Sequence, residues 1–549
     1  MVRVALGFAN EAKLAQNNLG FRIAETLLAA RGGVSVERFF WPAGERRAGW
    51  RLRTEPSALS LAAVDLVLFS LSFEGDFLHI PAMLAAGGLP PQSDARRRGH
   101  PLVVAGGAAV MINPEPIARF FDLFLVGEAE ALLERFLDRW EPLRLAPREE
   151  LLQALDELPG SLAPALREHH LWQAGEGKLR PAPLAPAPVA GIGERADGGD
   201  PTESCGRKPA SSFVATVPWD GVAGSVVAAR LPAEAHFHES LLLELERGCP
   251  RRCRFCVASR IYAPVRHHDA GRMVAFVEHE LRRGERIGLL GLSAGDYPDL
   301  ERLAEELSRC GWRLSISSLP SDFRRERVAG HLVKAGAETL TIAPEAGTDR
   351  LRALAGKRVA NATIIETARM LGKTGVRELR TYFLIGLPFE EEADIDGIRS
   401  LLGELRAALP ARCRLSATVN PFAPKPRTPF QWAGMASARA LEQASRRLSS
   451  PPIAGVRLRV KSLREARVHA ALTRADASWG VRIERASLEG TSLSRQLRAE
   501  GTTLEDWTAP IEFGAALPWG YLISAEESEN LAREWRRAWR EAGRPEPRA

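Results

Sequence analysis

Strand-sized apolar runs alternate with longer, helix-length stretches over the first 140 residues of the chain. The runs occupy residues 2–9, 34–41, 65–72, 101–107 and 123–128. Apolar strands separated by helix-length segments are typical of βαβ units, in which helices cover both faces of a parallel sheet. We therefore predict an α/β domain with a doubly wound parallel sheet over residues 1–140. Ligands bind such sheets at the carboxyl ends of the strands.

The same alternation returns after residue 238. Six further strand candidates occupy residues 241–245, 286–292, 313–318, 338–343, 380–385 and 414–419. Helical segments, such as residues 364–373, separate them. This part, residues 239–435, therefore reads as six consecutive βα units, and in barrels built from such units the chemistry takes place at the carboxyl ends of the strands.

Two segments do not follow this alternation. Residues 141–238 are rich in proline, alanine and glycine, which favours a linker with a stiff part and a flexible part. Residues 436–549 mix helical and short strand patterns and predict a small α+β domain. Trp535 and Trp539 are four residues apart in its last helix, and we expect them to pack on the core rather than to stack on nucleic-acid bases.

Composition and charge limit the classes of function. A chain of 549 residues indicates three or four domains at about 100–200 residues each. No apolar run reaches the roughly 18 residues of a membrane span, and the N-terminus has no secretory signal, so we expect a cytoplasmic protein without a membrane partner. The net charge is +6, but arginine is spread through every segment. Nucleic-acid binding is the weaker interpretation, because no basic stripe is interleaved with aromatic residues.

Three cysteines lie within eight residues directly after the first strand of the second domain. Cys249, Cys253 and Cys256 are separated by three and then two residues. Thiolates are the ligands that iron–sulfur clusters select, and three of them leave the fourth iron of a cubane open to a substrate. Zinc and structural thiols are the alternatives. For zinc, only His267 and His268 lie nearby, too soon after the triplet for the usual spacing.

The C-x3-C-x2-C pattern, with Phe255 just before the third cysteine, resembles the radical S-adenosylmethionine (radical SAM) superfamily. The resemblance implies that Cys249, Cys253 and Cys256 hold one [4Fe-4S] cluster as metal ligands and catalytic residues. It implies that S-adenosylmethionine binds the open iron, near Phe255, and is cleaved reductively to a 5′-deoxyadenosyl radical. A partial (β/α)6 TIM-like barrel and an external electron donor of the flavodoxin or ferredoxin type are further implications.

The ends of later core strands resemble the segments with which this family holds S-adenosylmethionine. Ser293-Ala-Gly-Asp296 occupies the loop where many relatives have Gly-Gly-Glu, which implies that Asp296 accepts from the methionyl ammonium. Ser318 would reach the ribose or the carboxylate. Glu345 would accept from the ribose hydroxyls, although it could instead cap the helix that starts near Thr348. Gly386 belongs to a Gly-x-Pro-x-Glu segment, which in the family flanks the adenine.

The first domain resembles the cobalamin-binding domain that precedes many radical SAM cores. The matching stretches are the strand end at Ser70, the Gly-Gly-x5-Asn-Pro-Glu run from Gly106 and Gly107 to Glu115, and Gly127-Glu-Ala-Glu130. The usual Asp-x-His-x-x-Gly signature, which places a histidine beneath cobalt, is absent. The resemblance implies cobalamin beside Ser70, Gly106 and Gly107 without a histidine ligand. A Rossmann-like domain that serves docking or architecture is the alternative.

Together these patterns predict a radical SAM enzyme that modifies an unactivated carbon. If cobalamin is bound, methyl transfer is the expected second step of the reaction. Methylthiolation of RNA or protein is an alternative that needs a second cluster on three upstream cysteines, and only Cys205 precedes Cys249. A non-enzymatic cobalamin- or redox-sensing module is a third interpretation, but it would need neither Glu345 nor an open iron. Residues 460–476 resemble an uncharacterised cobalamin-type radical SAM branch, and neither a small-molecule nor a macromolecular substrate can be inferred.

Overall fold

The computed structural model describes residues 1–44, 49–167, 213–221, 225–231 and 241–547. Its N-terminal unit shows the predicted alternation of strands and helices. In chain order the elements are β1 (Val2–Phe8), α1 (Ala12–Gln16), α2 (Leu19–Ala30), β2 (Val34–Phe40), β3 (Leu66–Ser70), α3 (Ile80–Ala86), β4 (Leu102–Gly106), α4 (Ala108–Ile112), β5 (Leu123–Leu125), α5 (Ala129–Leu143), α6 (Arg148–Asp156) and β6 (Ser161–Leu162).

The first five strands form one parallel sheet in the order β2-β1-β3-β4-β5. Successive residues of β3 enter different cores: Val67 and Phe69 belong to one buried cluster, whereas Leu66 and Leu68 belong to another. Both faces of the sheet are therefore covered. This explains why its strands appear in the sequence as continuous apolar runs rather than as alternating ones. The predicted doubly wound sheet is confirmed.

The N-terminal unit continues beyond residue 140. The helix α6 and the strand β6 lie within the segment that the sequence assigns to the linker, and β6 pairs antiparallel with β5 at the sheet edge. Leu151, Leu152 and Leu155 of α6 are buried in the cluster that also holds Leu66, so this part of the segment packs on the sheet. Residues 168–212, which include Cys205, lie outside the described residues. The division of the chain into domains stays a prediction.

The central part of the chain alternates strands and helices from residue 241 onward. Its elements are β7 (Ala228–Arg230), β8 (Leu241–Glu244), β9 (Glu246–Arg247), α7 (Ala258–Ile261), β10 (Arg266–His267), α8 (Ala270–Glu280), β11 (Arg286–Leu290), α9 (Leu300–Arg309), β12 (Arg313–Ile316), α10 (Glu326–Lys334), β13 (Thr339–Glu345), α11 (Asp349–Leu354), α12 (Asn361–Lys373), β14 (Glu378–Ile385), α13 (Glu392–Ala408) and β15 (Arg414–Pro421).

All six predicted core strands are present, and they stand in chain order. β8, β11 and β12 are parallel neighbours in one sheet, and β13, β14 and β15 are parallel neighbours in a second. A single parallel bridge between Leu319 and Ile342 joins the two sheets. Among the described strands no pairing connects the outer edges, which are the antiparallel strand β7 and the strand after β15. The barrel is therefore partial, as predicted.

The last block of the chain is mostly helical. It comprises α14 (Ala438–Ser449), β16 (Val456–Val460), α15 (Leu463–Arg474), α16 (Trp479–Glu489), α17 (Leu493–Ala499), α18 (Leu504–Thr508) and α19 (Ala525–Glu541). β16 pairs in parallel with β15 and so extends the core sheet. Trp535 is buried, and both it and Trp539 pack on Phe389, which confirms their predicted role in packing. No helix of the described residues is long and apolar enough to span a membrane.

Candidate active site

A cavity of about 480 Å³ lies between the carboxyl ends of the N-terminal sheet and those of the core strands. On one side it is lined by Ser70, Gly106 and Gly107, which end β3 and β4. On the other side it is lined by Glu246 and Gly248, which lie directly before the cysteine loop. The structure thus brings the three residues that the sequence predicts for cobalamin to the same cavity as the first core strand.

Two glycines give the N-terminal wall of the cavity its flat edge. Gly107 has φ 104°, and a Cβ there would lie 2.5 Å from the carbonyl oxygen of Leu71. No side chain fits, because the backbones cross too closely and the conformation is left-handed. At Gly106 a Cβ would lie 3.4 Å from the Leu125 oxygen, so this position is less confined. None of the residues that line the cavity is a histidine. A corrin would fit here only without an imidazole ligand.

The cysteine loop leaves the sheet at Gly248 and returns to regular structure at α7. Gly248 has φ 85°, and a Cβ would lie 2.8 Å from the carbonyl oxygens of Tyr262 and Pro264, so the tight start of the loop requires glycine. Within the loop the Cys256 amide donates to the Cys253 carbonyl at 3.1 Å. The Arg254 amide donates to the Ala355 carbonyl at 3.0 Å, which fastens the loop to the helix after β13.

The three thiols differ in burial. Cys253 is buried, whereas Cys249 and Cys256 are half-buried. Burial raises the pKa of the Cys253 thiol to about 12 and also raises that of Cys249. Metal coordination deprotonates such thiols outright. In the structure as it stands, no three His, Cys, Asp or Glu side chains of the described residues are grouped at metal-binding distance.

The donor set nevertheless fits a cluster with one open iron, because no fourth cysteine of the described residues lies near the loop. Cys310 follows α9 and precedes β12, and Cys413 directly precedes β15. Both therefore lie at the amino ends of parallel strands, whereas the cysteine loop lies at the carboxyl ends. Among the described residues only Cys249, Cys253 and Cys256 can serve as thiolate ligands at this site, and three thiolates leave one iron of a cubane open.

Glu345 ends β13 beside the cysteine loop. Its backbone is left-handed, with φ 69°, and a register shift in the pairing with β14 occurs directly before it. Non-glycine residues in this conformation cluster at functional sites. The Lys357 ammonium lies 3.3 Å from a Glu345 oxygen, and burial raises the pKa of Glu345. The charges of both residues act on the Cys253 thiol, so the structure brings Glu345 close to the cluster ligands.

Asp296 is already bound by a residue of the cysteine loop. Arg251 donates to both of its oxygens, at 2.6 and 2.8 Å, and the Ser293 hydroxyl is a third donor. Burial opposes ionisation, but these hydrogen bonds hold the pKa of Asp296 below its usual value. Asp296 therefore orients the loop through Arg251, and its part in binding an ammonium stays a prediction.

The remaining predicted contacts of S-adenosylmethionine lie around the same end of the barrel. Ser318 is half-buried after β12, and its neighbour Ser317 lines the cavity. Phe255 is half-buried and packs on the largest core cluster. Gly386 has φ 81°, and a Cβ there would lie 2.9 Å from Leu441 of α14. Its amide donates to Glu390 at 2.7 Å, and burial raises the pKa of that carboxyl to about 8.

Glu246 is a candidate site residue that the sequence analysis missed. It is 2% exposed, and one oxygen accepts from the Ser293 amide at 2.8 Å. The other oxygen has no hydrogen-bond partner within the described parts of the chain, although the His267 ring nitrogen lies 3.4 Å away. Burial raises the pKa of Glu246 to about 7. The sequence did contain a signal for Glu246: it is a carboxylate at the end of a predicted strand, three residues before Cys249.

A buried network of charges, the Arg247 cluster, joins the cysteine loop to the N-terminal unit. Arg247 contacts Glu128 at 3.0 Å, Glu130 at 2.5 Å and Glu244 at 3.0 Å. Arg266 donates to both oxygens of Glu128, at 2.7 and 2.9 Å. Burial lowers the pKa of Arg247, but the hydrogen bond with Glu130 and the carboxylate charges raise it more, so the net shift is upward. The run Gly127-Glu-Ala-Glu130 thus meets the strand that carries the cysteines.

Comparison with known proteins gives two family matches. Residues 20–164 match the family described as radical SAM proteins, N-terminal, and residues 243–402 match the radical SAM superfamily. An uncharacterised protein of Methanocaldococcus jannaschii is 27% identical over 373 residues, which are 67% of this chain and 68% of that protein.

Two solved structures align over most of the chain at low identity. The cobalamin-dependent S-adenosylmethionine radical enzyme OxsB, with aqua-cobalamin bound, is 13% identical with a TM-score of 0.46, over 82% of this chain and 56% of OxsB. The radical S-adenosylmethionine methyltransferase TsrM from Kitasatospora setae, with cobalamin and a [4Fe-4S] cluster bound, is 14% identical with a TM-score of 0.49, over 79% of this chain and 74% of TsrM. This chain thus spans little more than half of OxsB.

The two family matches together cover more than half of the chain, and the second begins six residues before Cys249 and contains all three cysteines. The family implies a [4Fe-4S] cluster and S-adenosylmethionine. With its partial barrel and its C-x3-C-x2-C loop at the carboxyl ends of the strands, the chain belongs to the radical SAM superfamily of enzymes.

Proposed function

We propose that this enzyme uses a single [4Fe-4S] cluster on Cys249, Cys253 and Cys256 to cleave S-adenosylmethionine, and that it transfers a methyl group to an unactivated carbon with the help of cobalamin. The observation that carries the proposal is the shared cavity. Its walls are the strand ends at Ser70 and Gly106 on one side and Gly248, next to the first cysteine, on the other. A ligand in this cavity would touch both units.

The residues of the chain have distinct parts in this proposal. Cys249, Cys253 and Cys256 would hold the cluster, which when bound would pass an electron from an external donor of the flavodoxin or ferredoxin type to S-adenosylmethionine. Glu345 accepts hydrogen bonds from the ribose hydroxyls, and the neighbouring Lys357 ammonium opposes the rise in the Glu345 pKa that burial causes. Ser318 and Gly386 border the nucleoside, and Phe255 packs beneath the loop. The apolar part of the cavity wall, which includes Leu68 and Leu125, disfavours water and so protects a reactive intermediate from side reactions.

Cobalamin would lie against the flat edge formed by Gly106 and Gly107, and when bound it supplies a methyl carrier. The wall there consists of backbone and of apolar side chains such as Leu68 and Leu125. The described histidines of the N-terminal unit are directed elsewhere: the His79 ring stacks on Trp41 at 4.0 Å, and its Nδ1 contacts the Ala9 carbonyl at 2.7 Å. Binding therefore rests on shape and on hydrogen bonds to the periphery of the corrin.

We expect protein produced with cobalamin to show both iron–sulfur and corrin absorption, and the Gly106→Val variant to lose only the corrin bands. The added side chain fills the wall of the cavity, and Gly106 does not have the left-handed backbone that would exclude valine. About four irons per chain should remain in both proteins, as one cubane requires. Corrin retained in the variant would contradict the placement, and about eight irons would favour a methylthiotransferase with two clusters.

The methionyl ammonium has two candidate acceptors, and paired substitutions separate them. We expect Glu246→Gln to weaken the binding of S-adenosylmethionine by roughly tenfold to a hundredfold, the range for a hydrogen bond to a charged group. We expect a smaller loss for Asp296→Asn, because Arg251 already donates to both Asp296 oxygens. Calorimetric titration of the reconstituted protein measures both. A larger loss in Asp296→Asn would assign the ammonium to Asp296, as the sequence motif predicts.

A further inference from the structure

Arg474, the last residue of α15, is a buried cation without a partner among the described residues. It is 5% exposed, and its Nε, Nη1 and Nη2 atoms have no hydrogen-bond partner. Burial lowers its pKa to about 10, and no carboxylate counteracts the shift. The next acid along the chain, Asp476, instead accepts from the backbone and hydroxyl of Ser478. Charges this deeply buried are normally paired.

The backbone around Arg474 is held by groups of the N-terminal unit. The side-chain amide of Asn113, which is fully buried, donates to the carbonyls of Thr473 at 3.1 Å and Ala475 at 2.8 Å. Those two residues flank Arg474. The Thr473 hydroxyl donates to Glu74, so the end of α15 is fixed at several points. Neighbouring residues therefore fix the backbone of Arg474, and its own side chain forms no hydrogen bond with the described residues.

Nearby acids are already committed to other cations. Glu74 accepts from Lys425 at 2.6 Å and contacts His469 at 2.7 Å. The Glu74 carboxylate thus has Lys425, His469 and Thr473 as its partners and does not pair with Arg474. The other unpaired polar atom in the same stretch is the indole nitrogen of Trp479, which is fully buried. The unpaired groups of residues 474–479 are thus all donors, which calls for an acceptor that the described side chains do not supply.

Arg474 lies one short helix away from the cavity. α4 starts after Gly107 at the cavity wall and ends at Ile112, directly before Asn113, and its five residues span about 8 Å. Met111 of this helix lines the cavity, and its carbonyl accepts from Arg427 at 2.9 Å. Asn113 and Arg474 do not themselves line the cavity, so a group of its occupant meets Arg474 only by extending past Met111 between α4 and α15.

We propose that Arg474 binds an oxyanion, a carboxylate or a phosphate, on the molecule that enters the cavity. The planar guanidinium offers a fork of donors that matches either group with two parallel hydrogen bonds. A bound oxyanion satisfies the nitrogen atoms and neutralises the charge that burial leaves unpaired. That molecule is either the substrate or cobalamin, and the nucleotide tail of cobalamin carries a phosphodiester. Only this identity rests on the proposed function.

Thermal unfolding of the full-length chain in inorganic phosphate tests the site without any cofactor. We expect phosphate to raise the unfolding midpoint by about 2 °C or more over sodium chloride of equal ionic strength. Arg474→Met should unfold at a higher midpoint than the wild type in sodium chloride, because an unpaired buried charge has been removed, and phosphate should no longer shift it. Arg464→Met, an exposed position on the same helix, should behave like the wild type.

Three results would overturn the oxyanion site: no phosphate effect on the wild type, an equal effect on Arg474→Met, or a lower midpoint of Arg474→Met in sodium chloride. If Arg474→Met does not fold, Arg474→Lys serves instead and should lose most of the phosphate shift, because lysine lacks the fork. Binding of hydroxocobalamin at least tenfold weaker in the variant, with dicyanocobinamide unaffected, would assign the oxyanion to the nucleotide tail. Unchanged binding of both corrins would assign it to the substrate. None of these readouts depends on catalysis, so failure of the proposed function would be seen separately.

Discussion

Replacing Cys253 by alanine is expected to abolish the formation of 5′-deoxyadenosine. Two thiolates remain at the site, and neither of the other described cysteines can replace the third, because Cys310 and Cys413 lie at the opposite ends of the strands. Cys253 is also the most buried of the three, and the charges of Glu345 and Lys357 reach it, so it lies where the loop meets the rest of the site. The measurement is product formation by anaerobically reconstituted protein with dithionite and S-adenosylmethionine.

The matched control is Cys310→Ala. Cys310 is half-buried at the end of α9, at the amino ends of the core strands, and the substitution should leave both the iron content and 5′-deoxyadenosine formation at wild-type levels. Undiminished cleavage of S-adenosylmethionine by the Cys253→Ala variant would contradict the assignment of Cys253 as a cluster ligand. Intact iron without cleavage in that variant would contradict the view that all three cysteines are needed for an intact cluster.

The second large effect is expected at Arg247. Substitution by methionine removes the cation shared by the buried carboxylate of Glu128 and the half-buried carboxylates of Glu130 and Glu244. Arg266 still contacts Glu128, and His268 still contacts Glu244. Removing one partner of a buried ion pair typically costs about 3–5 kcal/mol. We expect the free energy of unfolding to fall by about that amount, and the iron content after reconstitution to fall as well, since Arg247 lies two residues before Cys249.

Urea unfolding followed by fluorescence measures the change, and Arg447→Met is the control. Arg447 forms a bidentate ion pair with Asp396 at 2.6 Å, but both side chains are exposed, and such pairs contribute little. The control should therefore unfold at the wild-type urea concentration. An Arg247→Met protein as stable as this control would show that the Arg247 cluster does not hold the N-terminal unit and the core together.

The regular elements were largely predictable, because each depends on a local pattern. The inner strands β3, β4 and β5 are almost wholly apolar, which burial on both faces explains, whereas the edge strand β2 also carries Glu37 and Arg38. The core strands recur between helix-length segments. The sequence analysis did not predict β6 and α6, because they lie in a segment rich in proline and alanine that was interpreted as a linker. Leu151, Leu152 and Leu155 of this segment pack on the sheet. β16 could not be assigned to the core, since its pairing with β15 links segments about forty residues apart.

The site was predictable in part. The strand-end position of Glu345 follows from the motif, and the structure places it beside the cysteine loop. The partner of Asp296 did not follow, because Arg251 belongs to a different loop, and neither did the unpaired oxygen of Glu246. Whether a carboxylate is available to a ligand depends on which cations the fold brings to it. Ion pairs between residues distant in sequence leave no periodic signal.

The sequence alone determined the candidate metal ligands: three cysteines at fixed spacing in one loop indicate a metal-binding triplet, because ligand spacing is a local property of the backbone. The tertiary structure alone decided what faces that triplet. It placed the glycine edge of the N-terminal sheet across a cavity from Gly248, joined the two units through Arg247 and buried Arg474 without a counter-charge from any described residue. These features arise from packing between segments hundreds of residues apart, where burial and distance, rather than residue type, set the energy of each charge.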